Sequence, residues 1–281
     1  MPNQLTLLID GNNALHRAHW VTKSNGVQLV NSSGVDVSDV FTFLKMVKST
    51  VENFKADYVY IVWDKKLQYG QSNFRDLLSK GEYKANRDKE KNKDVYDNVE
   101  LIVEFTKLLG VKNMFPGTLE ADDVISWLAQ HTEGQTVIVS ADKDFIQLIN
   151  PQISYYNPSK KQIINAGNVQ SLLGMTPQEF LYYKAIVGEV SDNIEGLEGY
   201  GEVKGAKLAK EFVSNKESIE ETKRLVVERN LKMVDLSYGI KTHPEEQTIY
   251  EEQLSQLQGL KPNFDEFQKK CTEYEFNSIL R

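Results

Sequence analysis

Three short apolar runs, rich in β-branched and aromatic residues, mark the first half of the chain, and each runs into aspartate. LTLLID ends at Asp10, YVYIVWD at Asp64, and TVIVSADKD at Asp142 and Asp144. Unbroken apolar runs of this length predict strands buried on both faces. Between them the period changes to that of a helix. Val40, Phe41, Leu44, Val47, Val51 and Phe54 predict a helix over Ser38 to Phe54 with Ser38 as its cap. A second pattern, Asp97 to Leu109, stops at Gly110, and a third runs from Ala121 to about Thr132 behind Thr118, the expected N-cap. Strands alternating with helices imply crossover connections and a mainly parallel central sheet flanked by helices, an α/β unit over residues 1–166. Residues 167–281 read as mostly helical: TPQEFLYYKAIVG leads into the glycine-spaced GLEGYGEVKGAKLAKEF, and the polar stretch after Ser214 has weaker patterns.

Ligands of open α/β sheets sit beyond the carboxyl ends of the strands. One strand-ending aspartate is ordinary turn chemistry, but three runs of three place Asp10, Asp64, Asp142 and Asp144 at one edge. Glu120, Asp122 and Asp123, in TLEADDVISWLAQ, follow the short apolar VKNMFP and are expected at the same edge. Acids in a first helical turn also complement the helix dipole, so this cluster has a plainer explanation when taken alone. Converging carboxylates repel one another unless cations neutralise them, which points to divalent metal. All-oxygen ligation suits Mg²⁺ or Mn²⁺ better than zinc. Two such ions ~4 Å apart can activate water and stabilise the leaving oxygen of a phosphodiester. A structural calcium site is the alternative, against which stands the lack of a D-x-[DN]-x-[DN]-G loop.

Composition narrows the classes further. With 281 residues, 40% of them hydrophobic and 26% charged, the chain can bury a sizeable core. No apolar run reaches the ~18 residues of a membrane helix, and Leu5 to Ile9 lacks the basic flank of a signal peptide, so a cytoplasmic location is expected, that of the host for a viral protein. Cys271 is alone, and the four histidines show no zinc spacing. Gly199, Gly201 and Gly205 miss the dinucleotide-binding spacing, and no strand precedes them. A tight Gly-Tyr-Gly turn before a helix bearing Lys204, Lys207 and Lys210 fits a helix-hairpin-helix over about 188–212, whose glycines let backbone N–H groups approach a DNA phosphate. A plain surface helix is the alternative. The charged run YKANRDKEKNKD lies in a long strand-to-helix connection and reads as a solvated loop or a functional one.

Taken in order, LLIDGNNALHRA, VWD, EYKANR, LEADDVIS, VIVSADKDFIQLI, VGEVSDNIEGLEGYGEVKGAKL and RNLKMVDL resemble the 5′ nucleases, the flap endonucleases and 5′ to 3′ exonucleases, in their stand-alone phage or bacterial form. The resemblance implies a PIN-like α/β fold with a helical arch at about 65–96 and a helical DNA-binding region carrying the helix-hairpin-helix. It implies cleavage at single-strand/duplex junctions (5′ flaps, nicks, RNA/DNA primer junctions) with two Mg²⁺ ions, replaceable by Mn²⁺, in DNA replication. Asp10, Asp64, Glu120 and Asp122 match the family's first metal group, Asp142, Asp144 and Asp192 the second, with Asp123 between them. Tyr83, Lys84 and Arg87 match its YK-x-x-R at the arch base, where the cations polarise the scissile phosphate and the tyrosine stacks on a base. Gly199, Gly201, Lys204 and Lys207 would hold the downstream duplex, at a hairpin that in the family often binds a monovalent cation. GEVSDN departs from the family's GD-x-SDN; Glu189 is taken as a further ligand, and its extra methylene puts second-metal geometry in question.

The net charge of −7 looks adverse to a nucleic-acid partner. Setting aside the nine candidate site acids leaves 31 acidic against 33 basic residues, so the acidity is partly the site itself. No partner-docking motif stands out, and a monomer is expected. Two readings compete with an active junction nuclease. A non-catalytic DNA-junction module predicts lost carboxylates, and a PIN-type metal-dependent RNA nuclease leaves the helix-hairpin-helix and YKANR without a use.

Overall fold

A computed structural model describes residues 4–26, 28–64, 73–85 and 93–280. Six strands, β1 (Leu5–Asp10), β2 (Tyr58–Val62), β3 (Lys112–Met114), β4 (Gln135–Val139), β5 (Ile153–Asn157) and β6 (Gln162–Ile164), form one sheet in the order β3-β2-β1-β4-β5-β6. All neighbours are parallel except β5 and β6. The chain steps outward from β1 to β3 and then returns to β4 on the other side of β1. That reversal creates the crevice where such sheets bind ligands, beyond Asp10 and Val139.

The helices are α1 (Gly11–Ser24), α2 (Ser38–Phe54), α3 (Phe74–Leu78), α4 (Val99–Leu108), α5 (Ala121–His131), α6 (Val169–Leu173), α7 (Pro177–Val187), α8 (Glu202–Asn215), α9 (Glu221–Val234), α10 (Tyr238–Thr242), α11 (Glu245–Leu257) and α12 (Phe264–Glu273). Among the described residues, none is long and apolar enough to cross a membrane. Strand residues alternate between two cores, as the pleat requires. Leu7, Ile9, Ile61 and Val137 face the core built with α1, α2, α4 and α12, while Leu8, Tyr60, Val62 and Ile138 face that built with α5 and α11. A third core lies between α7, α8 and α9.

The predicted strands and the helices over 38–54, 97–109 and 121–132 are present, within a few residues at their ends. Two expected caps are not. Val37 caps α2, while the Ser38 hydroxyl donates to Asp36 Oδ1 at 2.6 Å and accepts from Leu29 N at 2.7 Å. Glu120 caps α5, and Thr118 turns instead toward α11. The expected helical region from 167 onward also differs. Of this region only residues of about 181–234 join the third core, which also takes in Tyr83, whereas Tyr250, Phe267, Cys271, Phe276 and Ile279 return to the two cores of the sheet. Of the expected arch, 65–96, residues 65–72 and 86–92, Arg87 among them, lie outside the described residues.

Candidate active site

Beyond the sheet's carboxyl edge, a cleft of about 210 Å³ is lined by Asp10, Asp64, Glu120, Asp122, Asp142, Asp144, Glu189 and Asp192. Local structure fixes each. Asp10 ends β1 and caps α1: its Oδ1 accepts from Asn13 N at 2.9 Å, and its Oδ2 from Ser140 Oγ at 2.8 Å. The helix can start this close to β2 only because residue 11 is glycine, where a Cβ would meet the Trp63 ring at 2.6 Å. Asp64 Oδ1 accepts from Ala121 N at 2.8 Å, tying the end of β2 to the first turn of α5. Asn12 and Asn13 hold the backbone N–H groups of Asp64 and Ala141 at 3.0 Å each. Asp142 Oδ1 accepts from Asp144 N at 2.8 Å. Asp192 and Glu189 come from the turn between α7 and α8, which is stitched to the segment after α3: Lys84 N donates to Asp192 O at 3.1 Å and Asn193 Nδ2 to Glu82 O at 3.0 Å.

Crowding of like charge shows in the proton affinities. Burial first, and the neighbouring Asp64 and Asp142 after it, push the Asp10 carboxyl up to about 7 against the pull of Asn13 and Ser140. Asp144 is likewise pushed up to about 7, by burial and then Asp142. Asp64, Asp122 and Asp142 are also raised, burial being the largest cause in each. Two lysines answer this charge. Lys84 pairs with Glu120, and Lys184 pairs with Glu189 and with Asp144 Oδ1 at 2.7 Å. Burial opposes a charged Glu120, yet Lys84 and Arg75 hold its carboxyl below the usual range. Among the described residues no three acids close on one point as a finished ligand shell. The donor set is nevertheless all oxygen, strongly negative and open to the cleft, which fits a hard divalent cation.

Two expected roles change. Asp123 does not stand between the acid groups: it is fully buried, and Arg75 Nη1 and Nη2 donate to its two oxygens at 2.7 and 2.8 Å. Arg75, 2% exposed, also donates to Glu120 Oε2 at 3.2 Å and to Met233 O at 2.8 Å. Tyr83 is not an open stacking platform. Its ring is buried in the third core, and its hydroxyl donates to Glu120 Oε2 at 3.0 Å and Asp192 Oδ2 at 3.3 Å, bridging the two acid groups. Sequence reading missed Arg75, Lys184, Ser140 and the two asparagines. The asparagines and Ser140 stand inside DGNN and VSAD, motifs read only for their acids.

The hairpin between α7 and α8 holds a short antiparallel pair, β7 (Gly188–Glu189) and β8 (Ile194–Glu195). A Cβ on Gly196 would lie 2.2 Å from Val187 O, and one on Gly205 2.5 Å from Val187 Cγ2, so these glycines allow close packing. Gly199 (φ 76°) and Gly201 face open space, and Gly201 caps α8. Lys204 and Lys207 follow on the exposed side of α8.

Residues 5–174 match the family model of the 5′-3′ exonuclease N-terminal resolvase-like domain. The chain is 31% identical over 210 residues to the 5′-3′ exonuclease of Buchnera aphidicola subsp. Schizaphis graminum, covering 73% of this chain and 70% of that one. It is also 31% identical over 218 residues to the 5′-3′ exonuclease of Bacillus subtilis, covering 75% and 72%. Its fold is similar to that of the T5 5′-exonuclease solved with zinc bound, with a TM-score of 0.72 at 19% identity over 92% of this chain and 99% of that one. By the family match and these relatives together, the chain belongs to the 5′-3′ exonuclease family.

Proposed function

We propose that this nuclease cleaves phosphodiesters at single-strand/duplex DNA junctions, including 5′ flaps and RNA-primed ends, using two Mg²⁺ ions. The observation that carries this reading is the convergence of eight carboxylates, from strand ends and two distant loops, into one cleft beside Lys84. Asp10, Asp64, Glu120 and Asp122 would hold one ion, and Asp142, Asp144, Glu189 and Asp192 the other. Bound there, the ions would supply water activation and charge neutralisation at the phosphate. Lys84, whose ammonium Glu120 holds above its ordinary value despite burial, carries a permanent positive charge to the scissile phosphate. Tyr83 keeps the two acid groups in register. Lys184 offsets the charge of Asp144 and Glu189, two of the acids that would hold the second ion.

The turn at Gly199 and Gly201, with Lys204 and Lys207, would grip the duplex through its phosphates, without reading sequence. A non-catalytic junction module is disfavoured because eight of the nine candidate carboxylates line the cleft, Asp123 alone being turned to Arg75. An RNA nuclease is disfavoured because the α7–α8 hairpin would be idle. The deciding experiment is cleavage of end-labelled 5′-flap DNA, nicked DNA and single-stranded RNA in Mg²⁺ and in EDTA. Flap and nick cleavage only in Mg²⁺, abolished in a folded Asp122→Ala protein, is expected. Cleavage in EDTA, or undiminished cleavage by that variant, refutes the proposal.

A further inference from the structure

β3 forms an outer edge of the sheet, so the outward backbone groups of the segment that follows it have no neighbouring strand. Helix α11 supplies the missing partners. Gln253 Oε1 accepts from Phe115 N at 3.0 Å, while its Nε2 donates to Phe115 O at 2.8 Å. About two turns before it stands Glu246, only 1% exposed. Its Oε1 accepts from Thr118 N at 2.5 Å and Thr118 Oγ1 at 3.0 Å, and its Oε2 from Gly117 N at 2.9 Å and Tyr250 OH at 2.7 Å. Four donors occupy the acceptor sites of the carboxylate. The contact is tight: a Cβ on Gly117 would lie 2.5 Å from Glu246 Oε1. Although burial opposes its charge, Tyr250 and the loop donors hold this carboxyl below the usual range.

Glu120 follows Thr118 by two residues and Asp122 by four, and the other end of this short span is held by Asp64 at Ala121 N and by Arg75 at Asp123. No slack separates the anchors from the acids. We infer that Glu246, supported by Gln253, is a positioning residue that sets the backbone from which Glu120 and Asp122 reach the cleft. The inference rests on the reading that these acids bind a divalent ion. Buried groups that orient metal ligands typically change metal affinity or activity by ~10- to 100-fold when altered.

The test is Mn²⁺ binding to the full chain without DNA, by electron paramagnetic resonance, together with kcat and KM for flap cleavage. Glu246→Gln places an amide N–H against the loop's N–H groups. It should weaken Mn²⁺ binding and lower kcat by ~10- to 100-fold with KM unchanged. A lower Tm with Mn²⁺ affinity and kcat intact overturns the inference. Should Glu246→Gln not fold, Gln253→Ala decides by the same split: a smaller loss in both supports positioning, and no loss in either overturns it. Wild-type protein that binds Mn²⁺ but cleaves nothing would strike the nuclease reading instead, and the binding comparison would still decide the role of Glu246.

Discussion

Adjacent acids can have opposite meanings, and Asp122 and Asp123 show it. Asp123 is fully buried against Arg75, whereas Asp122 faces Asp10, Asp142 and Asp64, which after burial raise its carboxyl well above the ordinary value. Arg75→Ala leaves Asp123 buried and unpaired and should cost ~3–5 kcal/mol in chemical denaturation. Asp122→Asn should abolish cleavage yet raise the melting temperature in EDTA, because it removes a charge the fold disfavours. Equal destabilisation by both variants would mean that the two acids have been wrongly distinguished. Sequence showed that acids cluster here but not which way each faces, since its partner Arg75 lies 48 residues away. Tyr83 makes the same point. Tyr83→Phe keeps the ring but removes the one hydroxyl proton shared by Glu120 and Asp192, a hydrogen bond to charged groups worth ~1.5–3 kcal/mol, so cleavage should fall ~10-fold. A stacking role predicts no change, and steady-state rates on flap DNA separate the two.

Among the elements, the hairpin between α7 and α8 was legible from its glycine spacing, but the spacing did not distinguish the two uses of glycine. Gly196 and Gly205 admit neighbouring backbone and side chains, whereas Gly201 meets nothing within 4 Å. Gly196→Ala must push against the Val187 carbonyl and should cost ~1–3 kcal/mol. Gly201→Ala, at the N-cap of α8, should keep stability to within ~1 kcal/mol while weakening duplex binding equally across sequences, because the contact proposed for it is with phosphate. Calorimetric melting and binding to two unrelated duplexes would check both. Unchanged binding by Gly201→Ala removes this turn from the DNA interface. The apolar runs ending in aspartate were the clearest signal because strands buried on both faces have no polar alternation to dilute them. The β5–β6 hairpin was missed because ISYYN mixes polar residues into a strand, placing Ser154 and Tyr156 on a half-buried face.

On the scale of the whole molecule, the C-terminal return to the sheet was hidden because Tyr250, Phe267, Cys271, Phe276 and Ile279 dock singly among polar neighbours into cores built by other elements. The same fold concentrates its carboxylates at one edge, which makes stability depend on pH in an unusual direction. Asp10 and Asp144 are raised from 3.8 to about 7 in the folded chain, so between these values the folded state holds protons that the unfolded state has released. Their contribution is therefore full below the unfolded value and is lost as pH rises through about 7. Glu120 and Glu246, which are lowered, act the other way, but their contribution disappears only as pH falls below the ordinary 4.5. Metal-free protein should thus melt at a lower temperature at pH 8 than at pH 5.5. On the proposed metal role Mg²⁺ would bind the ionised carboxylates, so it should reverse the trend, adding ~2.7 kcal/mol at a hundredfold excess over its Kd. Asp144→Asn isolates the effect, since an amide does not titrate: in EDTA its melting temperature should fall less between the two pH values than that of the wild type. Equal pH slopes for the two proteins in EDTA would show that the crowded cleft does not oppose ionisation, and that metal is not needed to relieve it.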